Sequence, residues 1–593
     1  MMNSVELGSM SRSGPSTAGD APGTMAVDGR QGRRDRAWIA FLLFLFGLVA
    51  IARYGGAPDH YMYAYMLAND PALLPFDSVM NNNILLKSSI FYDINRYLRI
   101  EEREVLLLAI YVAISALNIG LVFTIVRRHL TADRLAALTL VLLLTFVDRK
   151  LNTNAWSLMF AAHPGSPSMF GNSFALLTLL WLLDGRIALA ALAMMGVFLF
   201  QVKENTLLIP AALFFVASLG REYWWRGVFV LIPVGWLAFR SWSVIGQGYP
   251  YDDMIAAFRV NLEIEGRDGS FLAHTPAANL LLLGVVAASF PLSRLLNRDL
   301  GLLLRAVAWA TLAMWLANVL YLTVLWPYRP DPQPILLGAV RNSRFLIFLA
   351  FLAALGILAF KAPLRSYEKA MAMLSLFLVH GESWKGAAGP VLVLVLGIGL
   401  PRLLERISAL RPLAGRAAAL PWYAWCVAVF VAYGSWQAYS GGVYGTAVNR
   451  LAFEYSGRFA VIDRIDRAGW EALRRIRGMA GGGPMLTVFQ LPEGGYAFSR
   501  SGTTFARKAR FVAAGCQGLR MPPERTFFAE VDRRLEMEEA LLASLKAGRP
   551  VPESLRRDLA ERGVWILVPD SAAAGLEGYG EPTDLDGYRL FRP

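Results

Sequence analysis

The stretch "GNSFALLTLLWLLDGRIALAALAMMGVFLFQVKENTLLIPA", residues 171–211, decides how the first two thirds of the chain fold. It joins three apolar blocks, 169–183, 187–201 and 205–219, through polar breaks of only a few residues. A helix needs about 20 mainly apolar residues to cross a bilayer, and shorter ones can cross when tilted or buried by neighbours. The pattern therefore predicts consecutive membrane spans joined by tight turns.

The composition of the whole chain agrees with this interpretation. Of its 593 residues, 55% are hydrophobic and only 17% are charged, and the apolar residues come in long blocks. The formal charge is +13, which in a soluble protein would suggest nucleic acid. Here the basic residues lie mainly in short loops between apolar blocks, where they set membrane topology, so we expect no nucleic-acid partner.

Further blocks of the same kind run from residue 37 to residue 437, and they predict an all-α polytopic membrane domain of about 11–13 transmembrane helices. The blocks at 135–147, 187–201 and 370–380 are short, so the count is uncertain by one or two. The remaining blocks outside 169–219 are 37–52, 105–126, 227–243, 277–292, 306–326, 343–360, 387–400 and 419–437.

The placement of lysine and arginine predicts the orientation. Residues 1–36 are rich in Gly, Ser and Pro and end in a basic cluster, which indicates a disordered cytoplasmic tail. With this tail inside, the cytoplasmic loops become short and basic, as the positive-inside rule requires. These loops are "RRHLTADR" (127–134), "REYWWR" (221–226), "SRLLNRDLGLLLR" (293–305), "KAPLRSYEK" (361–369) and "PRLLERISALRPLAGR" (401–416).

After the last block the composition turns polar. Residues 438–593 contain amphipathic helical patterns in "RFAVIDRIDRAGWEALRRIRG" and "EVDRRLEMEEALLASLKAG", and strand-like runs in "MLTVFQ" and "VWILVPD". They predict a soluble α/β domain on the outer side of the membrane, long enough for its own core.

The first outer loop, 53–104, carries the sharpest catalytic candidate. In "APDHYMYAYMLANDPALLPFDSV", residues 57–79, Asp59 and His60 follow the first span by only a few residues. This position would bring a carboxylate to the membrane surface, where it can meet a lipid-linked phosphate. Asp77 and Asp93 are secondary acid candidates, and later residues of the loop predict an interface helix. The competing interpretation is that these aspartates only cap helices.

The break "QVKEN" holds a second candidate. Lys203 and Glu204 lie between two apolar blocks, and charges at the edge of the hydrocarbon require partners or water. A lysine ammonium suits a phosphate oxygen, but Glu204 could equally be its partner in an ordinary ion pair.

A third candidate lies in "LGAVRNSRFLIF", where Arg341 and Arg344 open a predicted span on the outer side. Their spacing would place two guanidiniums on one face at a helix N-terminus, which favours phosphate oxygens. The alternative is that these side chains only reach towards lipid head groups.

Other features are weaker. His163 lies in a Pro- and Gly-containing outer segment, and with His60 it is a candidate for substrate contact. The adjacent pair Asp252 and Asp253 could hold a divalent ion, but such a pair alone is a poor signal, so we predict no cofactor and no metal site. The two cysteines show no CxxC spacing, and the chain has no GxSxG, HExxH or P-loop motif.

Taken with these motifs, the chain resembles the GT-C glycosyltransferases. The similarity is carried by "GAPDHYMYAYMLANDP" after span one, by the pair of spans that ends in "QVKENTLLIPA", and by the C-terminal outer domain. It departs from better-known members in having Asp-His where several carry Asp-Glu or Asp-Asp.

The resemblance implies a bacterial inner-membrane enzyme that transfers a sugar from a polyprenyl-phosphate donor, with inversion, to a glycan, lipid or protein acceptor outside. Asp59 would then be the catalytic base. Lys203, Arg341 and Arg344 would bind the lipid phosphate.

Three other function classes stay open. A transporter or flippase for lipid-linked saccharide would also need an outer anion site, although it would be expected to show related halves, which the sequence lacks. A polysaccharide polymerase or ligase would place its main outer loop late in the chain. A non-catalytic membrane assembly subunit is the third alternative.

Overall fold

The computed structural model describes most of the helical and C-terminal parts of the chain. The described residues are 29–53, 69, 89–100, 103–145, 158–160, 165–200, 205–245, 276–320, 324, 343–376, 391–399, 402, 420–439, 467–479, 483–491, 494–499, 502–503, 506–508, 511 and 525–593. They are 75% helical, with a small mixed sheet near the C-terminus. The expected combination of a helical region and a C-terminal α/β region is therefore confirmed.

The helical region is a series of apolar helices that follow the predicted blocks closely. They are α1 (Gly29–Arg53), α2 (Ile90–Leu98), α3 (Glu104–His129), α4 (Arg134–Leu144), α5 (Ser168–Leu183), α6 (Ile187–Phe200), α7 (Leu208–Leu219), α8 (Gly227–Ile245), α9 (Pro276–Arg294), α10 (Arg298–Leu320), α11 (Arg344–Phe360), α12 (Ser366–Leu376) and α13 (Trp422–Tyr439). Short 3-10 and π segments occupy Arg221–Arg226 and Val395–Gly399.

The N-terminal boundary differs from the prediction. Helix α1 begins at Gly29, so residues 29–36, expected in the disordered tail, are helical. Once an apolar segment has nucleated a helix, Arg and Gln extend it at little cost because their helix propensities are high. Residues 1–28 lie outside the described part.

Two helices are long and apolar enough to cross a membrane, Leu106–His129 and Arg298–Ala317. Shorter apolar helical stretches of 10–17 residues lie at Arg36–Ala50, Arg134–Leu144, Ser168–Leu183, Ile187–Phe200, Leu208–Leu219, Leu280–Arg294, Arg344–Phe360 and Trp422–Ala432. Length and composition alone thus identify two candidate spans among the described residues, against the 11–13 expected.

The helices share one large core, to which residues of α1 and α3–α13 contribute. Helices α5 and α6 pack closely, and Gly196 explains how, because a Cβ there would lie 2.6 Å from the ring of Phe174. That ring stacks on Phe200, with centroids 5.8 Å apart. A small residue lets two helices approach, as is common in membrane bundles.

The C-terminal region is a five-stranded sheet of order β2-β1-β3-β5-β4. Only the β1–β3 pair is parallel, with Leu486 opposite Ile566. Alternating side chains put Leu486 and Ile566 on one face with α15 and α16, and Met485 and Leu567 on the other with α14. The elements are α14 (Arg467–Arg477), β1 (Met485–Gln490), β2 (Tyr496–Phe498), α15 (Arg525–Lys546), α16 (Glu553–Glu561), β3 (Trp565–Pro569), α17 (Asp570–Ala573), β4 (Glu581–Asp584) and β5 (Tyr588–Arg592).

Candidate functional site

Several helix connections meet at one end of the helical body. Arg128, at the end of α3, forms an ion pair with Asp184 in the α5–α6 turn, with Nη1 and Oδ2 2.5 Å apart. Asn297, in the α9–α10 turn, donates from Nδ2 to the carbonyl of His129 at 2.6 Å. Three turns far apart in sequence are therefore in contact.

The C-terminal end of α11 reaches the same place. A Cβ on Gly356 would come within 2.8 Å of Leu130, in the α3–α4 turn. One turn further on, Phe360 packs edge-to-face against Trp422 at the start of α13, with centroids 6.1 Å apart. We call this end, formed by 127–134, 184–186, 294–298 and 361–365, the basic end. It carries Arg127, Arg128, Arg134, Arg186, Arg294, Arg298, Lys361 and Arg365.

A buried carboxylate ties a further segment to the basic end. Glu368, 1% exposed, accepts from Arg402 Nε at 2.6 Å and from the backbone N–H of Arg365 at 3.0 Å. The pKa of Glu368 is lowered, chiefly by the hydrogen bond from Arg402. The glutamate thus links Arg402, the described residue of the predicted loop 401–416, to the α11–α12 connection.

Helix direction places a different set of residues at the opposite end. Because α5 and α11 run towards the basic end, their N-termini lie away from it, as does the C-terminus of α6. The direct evidence is that the ring of Phe170, in the first turn of α5, stacks on Phe200 at the end of α6, with centroids 5.0 Å apart.

Arg344 is a buried charged side chain at this opposite end. It is the first residue of α11 and is 1% exposed. Its Nη2 donates to Oδ1 of Asn205 at 2.6 Å. Its guanidinium also lies over the ring of Phe345, 5.1 Å from the centroid.

The electrostatics of this arrangement favour an anion. A helix N-terminus carries a partial positive charge, and Arg344 adds a full one at the same point. The Asn205 amide oxygen accepts from this guanidinium and orients it. Phosphate and carboxylate oxygens are the groups that such a fork of donors binds best.

Asn205 is the residue that the sequence interpretation missed. It directly follows Lys203 and Glu204 in the break before α7 and is completely buried. The interpretation considered only charged groups, whereas the signal was a polar amide at the edge of an apolar block. The Asn205–Arg344 bond brings Asn205, just before α7, against the start of α11. Lys203 and Arg341 themselves lie outside the described residues.

Part of the segment predicted as an interface helix is helical, as α2, and it packs at this same end. Ser89 caps it by accepting from the N–H of Phe91 at 3.3 Å. Phe91 is buried and contacts the ring of Phe170, with centroids 5.0 Å apart. Asp93 lies in the first turn of α2 and is exposed, so this secondary acid candidate is not buried in the bundle.

The remaining candidates, Asp59, His60, Asp77 and His163, lie outside the described residues, as does the pair Asp252 and Asp253. Within the described ranges, no group of three or more His, Cys, Asp or Glu side chains could hold a metal ion.

Comparisons with known proteins add no relative. No family model matches the chain, no curated protein matches it, and no solved structure matches it.

Proposed function

We propose that the chain is a polytopic membrane glycosyltransferase of the GT-C kind, which transfers a sugar from a polyprenyl-phosphate donor on the outer face of a bacterial inner membrane. The observation that carries the proposal is the buried Arg344 at the start of α11, held by Asn205 and lying away from the basic end. A lipid-linked phosphate is a chemical group that needs such a cation at the edge of an apolar body.

Exposed apolar side chains support the membrane placement. Large hydrophobic residues with more than a third of their surface exposed occur on most of the apolar helices between α1 and α13, for example Phe44, Leu117, Leu192 and Leu316. Among the described residues after Val431, none is found. Water would penalise so much exposed apolar surface on one region, whereas lipid would not.

The direction of the helices supports the orientation. The connections that meet at the basic end are those predicted to be cytoplasmic, together with the turn 184–186. Under the positive-inside rule that end faces the cytoplasm, and Arg344 and α2 then belong to the outer side.

The proposed reaction uses the acid of the first loop as a general base. Asp59 takes the proton from an acceptor hydroxyl as its oxygen forms a bond to the anomeric carbon. The bond from that carbon to the phosphate oxygen breaks, and polyprenyl phosphate leaves with the electron pair. Arg344, with Lys203 and Arg341 as further candidates, stabilises the charge that develops on the phosphate.

Purified protein in liposomes, supplied with a panel of polyprenyl-phosphate sugars, tests the proposal. Wild-type protein should release polyprenyl phosphate in the presence of an acceptor. Asp59→Asn keeps the shape and most of the capping ability but removes the base, so the rate should fall about 10²–10⁴-fold. Donor binding should persist in this variant.

Arg344→Gln should instead weaken donor binding. A folded Asp59→Asn variant with near wild-type turnover would refute the assignment of the base. Movement of the lipid-linked sugar across the bilayer without bond cleavage would favour the flippase alternative.

A further inference from the structure

The connection between α7 and α8, Arg221–Arg226 ("REYWWR"), is a single 3-10 segment with an unusual surface. Trp224 and Trp225 are 56% and 60% exposed. The indole Nε1 of Trp224 donates to the carbonyl of Ala217 in the last turn of α7, at 3.4 Å. The two largest side chains of a tight turn are thus held at the surface.

Both arginines of this turn lie over aromatic faces. The guanidinium of Arg221 is 5.9 Å from the ring centroid of Trp224. That of Arg226 is 4.7 Å from the centroid of Tyr223 and 5.6 Å from that of Trp225. Stacking fixes each guanidinium plane against a ring while its N–H donors stay at the edge, where a phosphate can accept them.

An exposed apolar stripe begins immediately after the turn. Along α8, the exposed residues Val228, Leu231, Ile232, Gly235 and Phe239 recur at helical spacing and therefore share one face. At 1.5 Å per residue, this 19-residue helix is about 28 Å long, close to the ~30 Å of a hydrocarbon core. The stripe fits lipid tails, and the turn then lies at the depth of the head groups.

The turn also belongs to the basic side of the molecule. Asn205 lies beside Arg344, away from the basic end, so α7 runs from there towards the basic end and the turn after it lies on that side. The acidic residue of the turn, Glu222, lies against Gly220, 2.9 Å from where a Cβ would be. Gly220 has φ 126°, a value that glycine alone adopts readily. The close approach of the Glu222 carboxylate to the backbone therefore depends on glycine at position 220.

We propose that residues 221–226 form a binding site for the head group of an acidic phospholipid in the leaflet at the basic end. The stacked arginines bind the phosphate, the two tryptophans lie at the interface, and the α8 stripe contacts the acyl chains. The inference rests on the membrane part of the proposed function and not on sugar transfer, so a failure of the transferase assay leaves it unchanged.

Native mass spectrometry of the full-length protein in detergent provides the test. The protein is equilibrated with equal amounts of phosphatidylglycerol and phosphatidylcholine, and the retained lipids are counted. In detergent there is no extended acidic surface, and one hydrogen bond from an arginine to the phosphate is worth roughly tenfold or more in binding. Arg221→Gln with Arg226→Gln should therefore lower the preference for phosphatidylglycerol about tenfold or more.

Arg294→Gln with Arg298→Gln is the matched control. It removes the same charge from exposed positions in the α9–α10 region of the basic end, where the structure shows no arginine stacked on a ring among the described residues. It should leave the preference unchanged. Arg221→Lys with Arg226→Lys keeps the charge but loses planar stacking, so an intermediate loss is expected even if the Gln variant fails to fold.

Equal losses in the Gln variant and its control would overturn the site, because only general charge would then matter. No loss in either variant would overturn it as well, because the arginines of the turn would then not bind the lipid. Displacement of phosphatidylglycerol by millimolar inorganic phosphate would also overturn it, in favour of a soluble anion. Retention of the lipid against free phosphate is the expected result.

Discussion

The hydrogen bond between Arg344 and Asn205 offers the most direct test of the candidate site. Asn205→Ala deletes the amide oxygen that accepts from Nη2 at 2.6 Å. Both residues are buried, so water cannot easily replace the lost acceptor. A hydrogen bond to a charged group contributes about 1.5–3 kcal/mol to stability. Because the guanidinium is buried and would lose its acceptor, we expect Asn205→Ala to lower the free energy of unfolding by an amount in that range.

This loss can be read from the thermal unfolding of the purified protein in detergent, followed by size-exclusion retention. A change of 1 kcal/mol moves the midpoint by roughly 2–4 °C in a domain of 150–250 residues, and by less in a larger one. For a helical region of this size we therefore expect a decrease of roughly 2–4 °C for Asn205→Ala. Ser173→Ala removes a buried hydroxyl that bonds an uncharged amide, and it serves as the control for the loss of an ordinary buried polar group.

The variant Asn205→Asp separates stability from binding. It retains an oxygen acceptor at the same length and turns the bond into an ion pair, so the fold should persist. Its negative charge would nevertheless compete with a phosphate for Arg344, and binding of polyprenyl phosphate should fall. If Asn205→Ala has wild-type stability, or if Asn205→Asp binds polyprenyl phosphate as well as wild type, the pair does not organise an anion site.

Two further predictions concern contacts elsewhere in the helical region. The hydroxyl of Ser173 in α5 donates to Oδ1 of Asn118 in α3 at 2.6 Å. A double-mutant cycle with alanine at both positions should give a coupling energy of about 0.6 kcal/mol, the mean for such bonds in membranes. A coupling energy of zero would show that the bond is not formed. Arg402 lowers the pKa of Glu368 in the folded protein. The ion pair therefore stabilises the fold fully at pH values above about 4.3, the ordinary pKa of a glutamate. This stabilisation is lost as the pH falls through the lowered pKa of the folded state. The stability difference between wild type and Glu368→Gln should be full at pH 7 and shrink below about pH 4, whereas a difference independent of pH would contradict the assignment.

The sequence by itself determined the positions of the helices and of the principal strands. Apolar blocks such as 169–183 and 187–201 became α5 and α6 almost residue for residue, because a polar break such as "DGR" is the only point at which such a chain can turn. "MLTVFQ" became β1 because a short, nearly continuous apolar run fits a strand buried on both faces of a sheet. These features depend on local periodicity, which is visible in one dimension.

Only the tertiary structure decided which of these elements meet. The bond between Asn205 and Arg344 joins residues 139 positions apart, and the ion pair between Arg128 and Asp184 joins residues 56 apart. Helix packing sets such partners through the order and tilt of the whole bundle, and apolar blocks of similar composition do not encode that order locally. For this reason the sequence located a cation at the start of α11, while the fold identified the amide that holds it.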